Sequence, residues 1–288
     1  MTYRGRFAPS PTGQLHFGSL VAAVGSWLSA RHAGGQWLLR MEDSDPTREV
    51  AGSAAGILAA LPAFGLVADA PPLFQSQRRS AYAAAFEQLR TAGMAFACWC
   101  SRSELALDGG MHRDGQCVAP ADPDRPPAWR LRVPDIAIDF HDALQGPQRE
   151  HLRESVGDFV IRRADDAYSY QLACVVDDAF QGITEVVRGH DLLGSTARQI
   201  WLQRCLGLPT PTYRHLPLVL DGDGRKLSKS DRAFPVDPAS PLPALRQALA
   251  FLGLPTPVGA VDVHGLLAQA LTGFDPALLP QCSGRSIA

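Results

Sequence analysis

Two stretches of the chain carry residue types suited to chemistry on phosphate. The first is Arg6-Phe7-Ala8-Pro9-Ser10-Pro11-Thr12-Gly13-Gln14-Leu15-His16-Phe17-Gly18-Ser19-Leu20. Pro9 and Pro11 stiffen it, while Gly13 and Gly18 allow tight bends or close backbone approach. It reads as a strand end, a turn and a helix start, with Ser19 as the expected N-cap. The N–H groups of such a helix end attract anions, and His16 would stand beside them. Taken alone, the stretch reads equally as a strand–loop–helix connection with a surface histidine. The second stretch is Arg225-Lys226-Leu227-Ser228-Lys229-Ser230, which holds the only two lysines of the chain. All the other Lys or Arg positions are arginine. A compact ammonium on a mobile stem suits polyphosphate, whereas a guanidinium suits a fixed fork.

In this order the two stretches resemble the HIGH and KMSKS motifs of class I aminoacyl-tRNA synthetases. His16-Phe17-Gly18-Ser19 stands for the first and Lys226-Leu227-Ser228-Lys229-Ser230 for the second. The preceding Arg6-Phe7-Ala8-Pro9-Ser10-Pro11-Thr12-Gly13 narrows the resemblance to the glutamyl branch. The resemblance implies a Rossmann-like α/β catalytic domain, a parallel sheet flanked by helices, with an inserted acceptor-binding-like subdomain and a short helical C-terminal segment. It divides the chain into a first half (1–95), the insertion (96–160), a second half with the lysine loop (161–235) and the terminal segment (236–288). It also implies roles. His16 and Lys229 would be catalytic. His16, Gly18, Lys226, Lys229 and Asp191 would hold ATP, which brings Mg2+. Arg6, Phe7, Ala8, Pro9, Ser10, Glu42, Tyr170 and Arg188 would bind L-glutamate. Arginine forks at Arg6 and Arg188 predict strong preference for glutamate over glutamine, because an unpaired buried guanidinium is costly.

The elements that must position these groups read as follows. Residues 3–8 form a strand, 19–33 a helix ending at Gly34-Gly35, and Gln36–Met41 the next strand. This β–α–β unit predicts a parallel sheet with ligands at the carboxyl ends of its strands. That rim carries the loop after Phe7 and also Glu42, where a carboxylate would meet an ammonium. Asp45 and Arg48 read as a solvated loop. Residues 50–64 and 79–92 read as helices, with Pro62 ending the first early. Residues 129–133 and 136–140 alternate like the two strands of a hairpin. Residues 159–163 and 183–187 read as strands, and 195–206 as a helix. Arg188-Gly189-His190-Asp191 repeats the rim geometry of the first half. Tyr170 as core and Arg188 as a surface ion-pair partner are the alternatives there. Residues 221–224 form a turn into the lysine loop. Helices near 242–252 and 261–271 follow, then a Pro-, Gly- and Ser-rich tail.

Cys98, Cys100 and Cys117 offer three soft ligands, which fits structural zinc or buried free thiols. In the resembling family a tyrosine four residues before the last cysteine completes a zinc site. Arg113 occupies that position and cannot ligate, but adjacent His112 offers a fourth donor. The segment looks like an insertion facing the acceptor end of a tRNA. Six cysteines without a dense framework fit a reducing compartment, so cytoplasm is expected. The net charge of −2 gives no global basic field, so RNA must meet a local patch. Arg162, Arg163, Arg198 and Arg204 are candidates for that face or for solvated structural roles. No run approaches the ~18 apolar residues of a membrane span. Only 58 residues follow Ser230, which leaves no room for a helical anticodon-binding domain of ~100 residues. The resemblance therefore points to the truncated paralogues that activate glutamate without tRNA and load it on the queuosine base of tRNA(Asp). The expected partners are that tRNA and L-glutamate, with no membrane and a monomeric chain. A glutamyl-tRNA synthetase-like enzyme with another acceptor, and a non-catalytic ATP- or RNA-binding paralogue, are the alternatives.

Overall fold

Strand β1 (Arg4–Phe7), helix α1 (Phe17–His32) and strand β2 (Gln36–Met41) form the expected β–α–β unit. The two strands pair in parallel, with Arg4 opposite Gln36 and Phe7 opposite Leu39. This computed structural model describes residues 2–107, 109–222, 224, 225, 236–256, 259 and 262–286. Lys226, Leu227, Ser228, Lys229 and Ser230 lie outside them. Helix α1 is apolar almost all round and is buried, with Leu20, Val24 and Leu28 fully inaccessible. It begins two residues before the expected Ser19 cap. The cap is His16, whose extended backbone precedes the helix and whose Nδ1 accepts the Ser19 N–H at 3.2 Å. Ser19 already lies inside the first turn, so a ring nitrogen replaces the usual cap oxygen.

The chain continues through α2 (Ser53–Ala63), β3 (Leu73–Phe74), α3 (Arg79–Thr91), β4 (Ala95–Cys98), α4 (Arg102–Leu107) and β5 (Ala128–Leu131). Then come β6 (Ala137–Asp142), β7 (Gly146–His151), α5 (Leu152–Ser155), β8 (Phe159–Arg162), α6 (Tyr170–Gln181) and β9 (Glu185–Gly189). The last part holds α7 (Thr196–Leu206), β10 (Thr212–Leu216), β11 (Leu218–Leu220), α8 (Pro241–Phe251), α9 (Val263–Thr272) and β12 (Gly284–Ser286).

Strands β1, β2 and β3 form one parallel sheet, and β9, β10 and β6 a second, with antiparallel β7 on its edge. The N–H of Thr184 donates to the Arg4 carbonyl at 2.9 Å, which lays the start of β9 beside β1. The carboxyl ends of β1, β2 and β9 therefore share a rim, as open α/β sheets require for a ligand site. The expected hairpin of 129–133 with 136–140 does not form. Strand β5 pairs antiparallel with β4 and β8, whereas β6 turns back onto β7. Pro134 donates no N–H and interrupts pairing between the two runs. The real turn is set by Asp142, whose Oδ1 accepts the N–H groups of Leu144 (3.0 Å) and Gln145 (2.8 Å). The Pro/Gly/Ser-rich tail carries a strand of its own. Its β12 pairs in parallel with β11, Leu218 opposite Gly284.

Candidate active site and cysteine cluster

The loop after β1 is pinned to the rim by its own carbonyls. Pro9 O accepts the Glu42 N–H at 2.9 Å, and Pro11 O accepts the Val50 N–H at 3.0 Å. Phe7 stacks on Trp37 in the core, with ring centroids 6.4 Å apart, so it faces the protein rather than a ligand. Pro9 is buried, and Ala8 and Ser10 are half-buried. The His16 Nδ1 accepts from Ser19 N–H, which places the ring proton on Nε2, 2.9 Å from Ser19 Oγ. The two described flanks of the lysine stretch both start beside this loop. Val236 N–H donates to Leu15 O at 3.3 Å. A Cβ placed on Gly18 would meet Val219 Cγ2 at 3.9 Å.

Below the rim lies a buried charge cluster. Arg6 is 3% exposed and donates from Nε to Asp178 Oδ1 at 3.1 Å. Arg40, fully buried, donates from Nη1 to the same oxygen at 2.6 Å and to Gln181 Oε1 at 3.1 Å. Its Nη2 reaches Glu42 Oε1 at 3.4 Å and Cys174 Sγ at 3.5 Å. Burial alone would raise the Asp178 pKa, but the Arg40 and Arg6 guanidiniums outweigh it and hold the carboxyl at about 2. Glu42 moves the other way, because burial outweighs the help of Arg40 and Arg6. Burial also pushes the Cys174 thiol up to about 12 and raises the Tyr170 hydroxyl, so both stay protonated near neutral pH. Tyr170 opens α6, which Ser169 caps by accepting the Leu172 N–H at 3.4 Å. The nearby Cys174 and Glu42 help to raise its hydroxyl, while the Arg188 and Arg6 guanidiniums oppose.

Arg188 closes the other side, at the end of β9. It is 5% exposed and makes no ion pair with a carboxylate among the described residues, so it is not a surface salt-bridge partner. Nε donates to His215 Nε2 at 2.9 Å, Nη1 to Gln199 Oε1 at 2.7 Å, and Nη2 to Thr196 Oγ1 at 2.9 Å and Leu192 O at 3.2 Å. Every acceptor is neutral, so its positive charge is not cancelled at first contact. Asp191, exposed, is the second residue of the short turn His190–Ser195 after Gly189.

Away from this pocket, Cys98, Cys100, His112 and Cys117 present ligand atoms within 4.8 Å of one another. His112 Nδ1 lies 2.9 Å from Asp158 Oδ2, and its buried Nε2 has no hydrogen-bond partner. A neutral imidazole donating to Asp158 leaves the Nε2 lone pair free for the three sulfurs' neighbourhood. That is the donor set and carboxylate–histidine arrangement of a closed tetrahedral metal site. Arg113 turns away, donating from Nε to Arg153 O at 3.0 Å. Burial and the neighbouring thiols push the Cys117 thiol up to about 12, whereas hydrogen bonds, from the Ala119 N–H first, hold Cys100 below its ordinary value.

A model of the family described as tRNA synthetases class I (E and Q), catalytic domain, matches residues 2–240. The chain belongs to this family. A glutamyl-Q tRNA(Asp) synthetase of Xanthomonas campestris is 55% identical over 98% of this chain and 94% of its own length. One of Burkholderia mallei is 51% identical over 98% of this chain and 99% of its own. Among solved structures, a glutamate tRNA ligase of Elizabethkingia meningosepticum, in complex with its amino acid, superposes with a TM-score of 0.83. It is 26% identical and covers all of this chain and 67% of its own. The parallel sheet and flanking helices are thus those of a class I synthetase. As in that family, the chemistry runs on ATP with Mg2+.

Within this synthetase fold, the sequence reading missed the residues that act through others. Arg40, Cys174 and Asp178 line the charge cluster, Asp142 and His215 back Arg188, and Asp158 backs His112. Arg40 did leave a signal, since a lone charge inside the apolar run Trp37-Leu38-Leu39-Arg40-Met41 must find a buried partner. Asp142 and His215 left none, because nothing local says which strand each will face.

Proposed function

We propose that the chain activates L-glutamate with ATP and transfers it to the queuosine base of tRNA(Asp). One observation carries this reading. The identity to relatives named for that reaction extends over 94–99% of their length, so the resemblance is not confined to a shared nucleotide fold. The α-carboxylate of glutamate attacks the α-phosphate, and pyrophosphate leaves. Such a reaction needs positioning and charge stabilisation more than a covalent protein intermediate. His16 Nε2–H and the start of α1 are the donors for the α-phosphate, and Lys226 and Lys229 the cations for the β- and γ-oxygens. The Arg6, Tyr170 and Arg188 side chains receive the side-chain carboxylate, and Glu42 the ammonium. Gly18 leaves room for ATP, with Asp191 on the adenosine side.

Cys98, Cys100, His112 and Cys117 would hold one Zn2+, which fixes the insertion and takes no part in adenylation. The unpaired cysteines suit a monomeric enzyme of the cytoplasm. The deciding experiment is transfer of labelled glutamate to tRNA(Asp) with and without queuosine. Label on the queuosine-bearing tRNA alone supports the reading. Label that appears at the 3′ end of either tRNA assigns the other acceptor class, and no glutamate-dependent ATP–pyrophosphate exchange removes the enzyme altogether.

A further inference from the structure

Arg188 is held differently from Arg6. Arg6 meets a carboxylate directly, whereas Arg188 meets an imidazole that is itself backed by one. His215 stands opposite Arg188 in the parallel register of β9 and β10, so both side chains leave the same face of the sheet. His215 Nδ1 lies 2.5 Å from Asp142 Oδ2, and its Nε2 accepts from Arg188 Nε at 2.9 Å. An acceptor at Nε2 requires the proton on Nδ1, donated to Asp142. Asp142 is fixed in turn, its Oδ1 accepting the N–H groups of Leu144 (3.0 Å), Gln145 (2.8 Å) and His215 (3.2 Å). Asp142 and His215 are fully inaccessible. We propose that Asp142 and His215 are a positioning pair that orients the Arg188 guanidinium to receive the amino acid's side-chain carboxylate. This rests on Arg188 as the carboxylate clamp of the reading above.

The physical logic is one of distance. A carboxylate placed directly on Arg188 would cancel its charge, whereas its four neutral acceptors leave that charge and one Nη1–H for a ligand. A neutral imidazole fixes Nε while moving the balancing charge one side chain away. The groups facing His215 are Asp142 from β6, Arg188 from β9, His190 beyond it, Thr196 Oγ1 at 3.4 Å from α7, and the Tyr213 ring stacked at 6.3 Å. Burial, with the Arg188 and His190 charges, outweighs Asp142 and lowers the His215 pKa from its ordinary value. A second proton, on Nε2, would set donor against donor at Arg188. D142N does the same without changing pH. Its amide donates to Nδ1, moves the ring proton to Nε2 and turns it against Arg188 Nε–H.

Glutamate-dependent ATP–pyrophosphate exchange tests this with D142N, H215L, H215Q and R188Q. We expect D142N and H215L to raise KM for glutamate about tenfold or more, with KM for ATP within about twofold of wild type. H215Q offers an amide donor to Asp142 and a carbonyl to Arg188, so it recovers most of the glutamate affinity. Wild-type KM for glutamate rises as pH falls through the depressed His215 range. In H215Q that part of the profile is lost, while any part due to Glu42 stays. Unchanged glutamate KM in H215L, or equal loss in H215L and H215Q, overturns the positioning role. If R188Q also leaves glutamate KM unchanged, the clamp reading falls as well. If R188Q raises it and H215L does not, only the positioning role falls. Should D142N not accumulate as folded protein, the H215L and H215Q pair decides.

Discussion

Two buried guanidiniums share one carboxylate oxygen at Asp178, and that sharing sets the electrostatics of the pocket. Removing the charge strands both Arg6 and Arg40 in a dry place, whereas the pair of cations cannot shed protons. D178N should therefore lose about 3–5 kcal/mol of stability in urea unfolding. The sign of the pH effect follows from the depressed pKa of about 2. The contribution of Asp178 is fully present above its unfolded value and is lost only as pH falls through the folded one. Acid unfolding of wild type should leave the cluster intact well below the pH at which ordinary carboxylates titrate. At this scale the sequence was legible at the strand ends. Arg6, Glu42 and Arg188 lie at or just after the carboxyl ends of β1, β2 and β9, and Tyr170 opens α6, because strand ends announce themselves through the β–α–β pattern. Asp178, Asp142 and His215 were not legible, since their work depends on partners 100 or more positions distant in several cases, such as Arg6 with Asp178.

Helix α2 is not cut short by Pro62, which lies inside it; it runs to Ala63 and stops before left-handed Gly65, and that ending lets α9 dock. Gly65 has φ +71, and a Cβ there would meet Leu267 Cδ1 at 2.7 Å and Val263 Cγ1 at 2.8 Å. Both the backbone and the space argue for glycine. G65A should cost about 2 kcal/mol in chemical denaturation and leave glutamate-dependent exchange near wild type, since the α2–α9 contact lies away from the rim. The cysteine cluster is built from a different stretch of the chain. Cys98, Cys100, His112 and Cys117 come from β4, the loop after it and a segment with little regular structure. C117S should lower the zinc content of the purified chain, measured by mass spectrometry of the metal, from one per chain towards none. Helices over 50–64, 79–92 and 195–206 were legible from apolar spacing and breakers. The pairing of β5, β6 and β7 was not, because alternation marks a strand but not its neighbour. The His16 cap was missed for a related reason, as imidazole caps have no propensity signal.

The whole molecule is close to neutral, with 27 basic Lys and Arg residues against 29 acidic ones. Many of the arginines are already spent on intramolecular pairs. Arg79 and Arg162 both meet Asp166, and Arg163 meets Asp45 and Asp165. Two of the four arginines considered for an RNA face therefore arrive partly neutralised. Arg204, exposed on α7, carries no such pair among the described residues. Among the described residues no helix is long and apolar enough to cross a membrane. Attraction to a polyanion must then come from a few phosphate contacts rather than from the net field. Two steps of one enzyme should separate on this ground. If adenylation uses the buried Arg6 and Arg188, as proposed, salt screens it little, and its glutamate KM should hardly move with ionic strength. Transfer to RNA releases counterions at each phosphate contact, so KM for tRNA should rise about tenfold between about 50 and 200 mM salt. Steady-state assays of exchange and transfer on the same preparation measure both slopes. A transfer step as insensitive to salt as adenylation would mean that the acceptor is not held by its phosphates. A slope several times steeper would require more basic surface than Arg198 and Arg204 provide beside the paired Arg162 and Arg163.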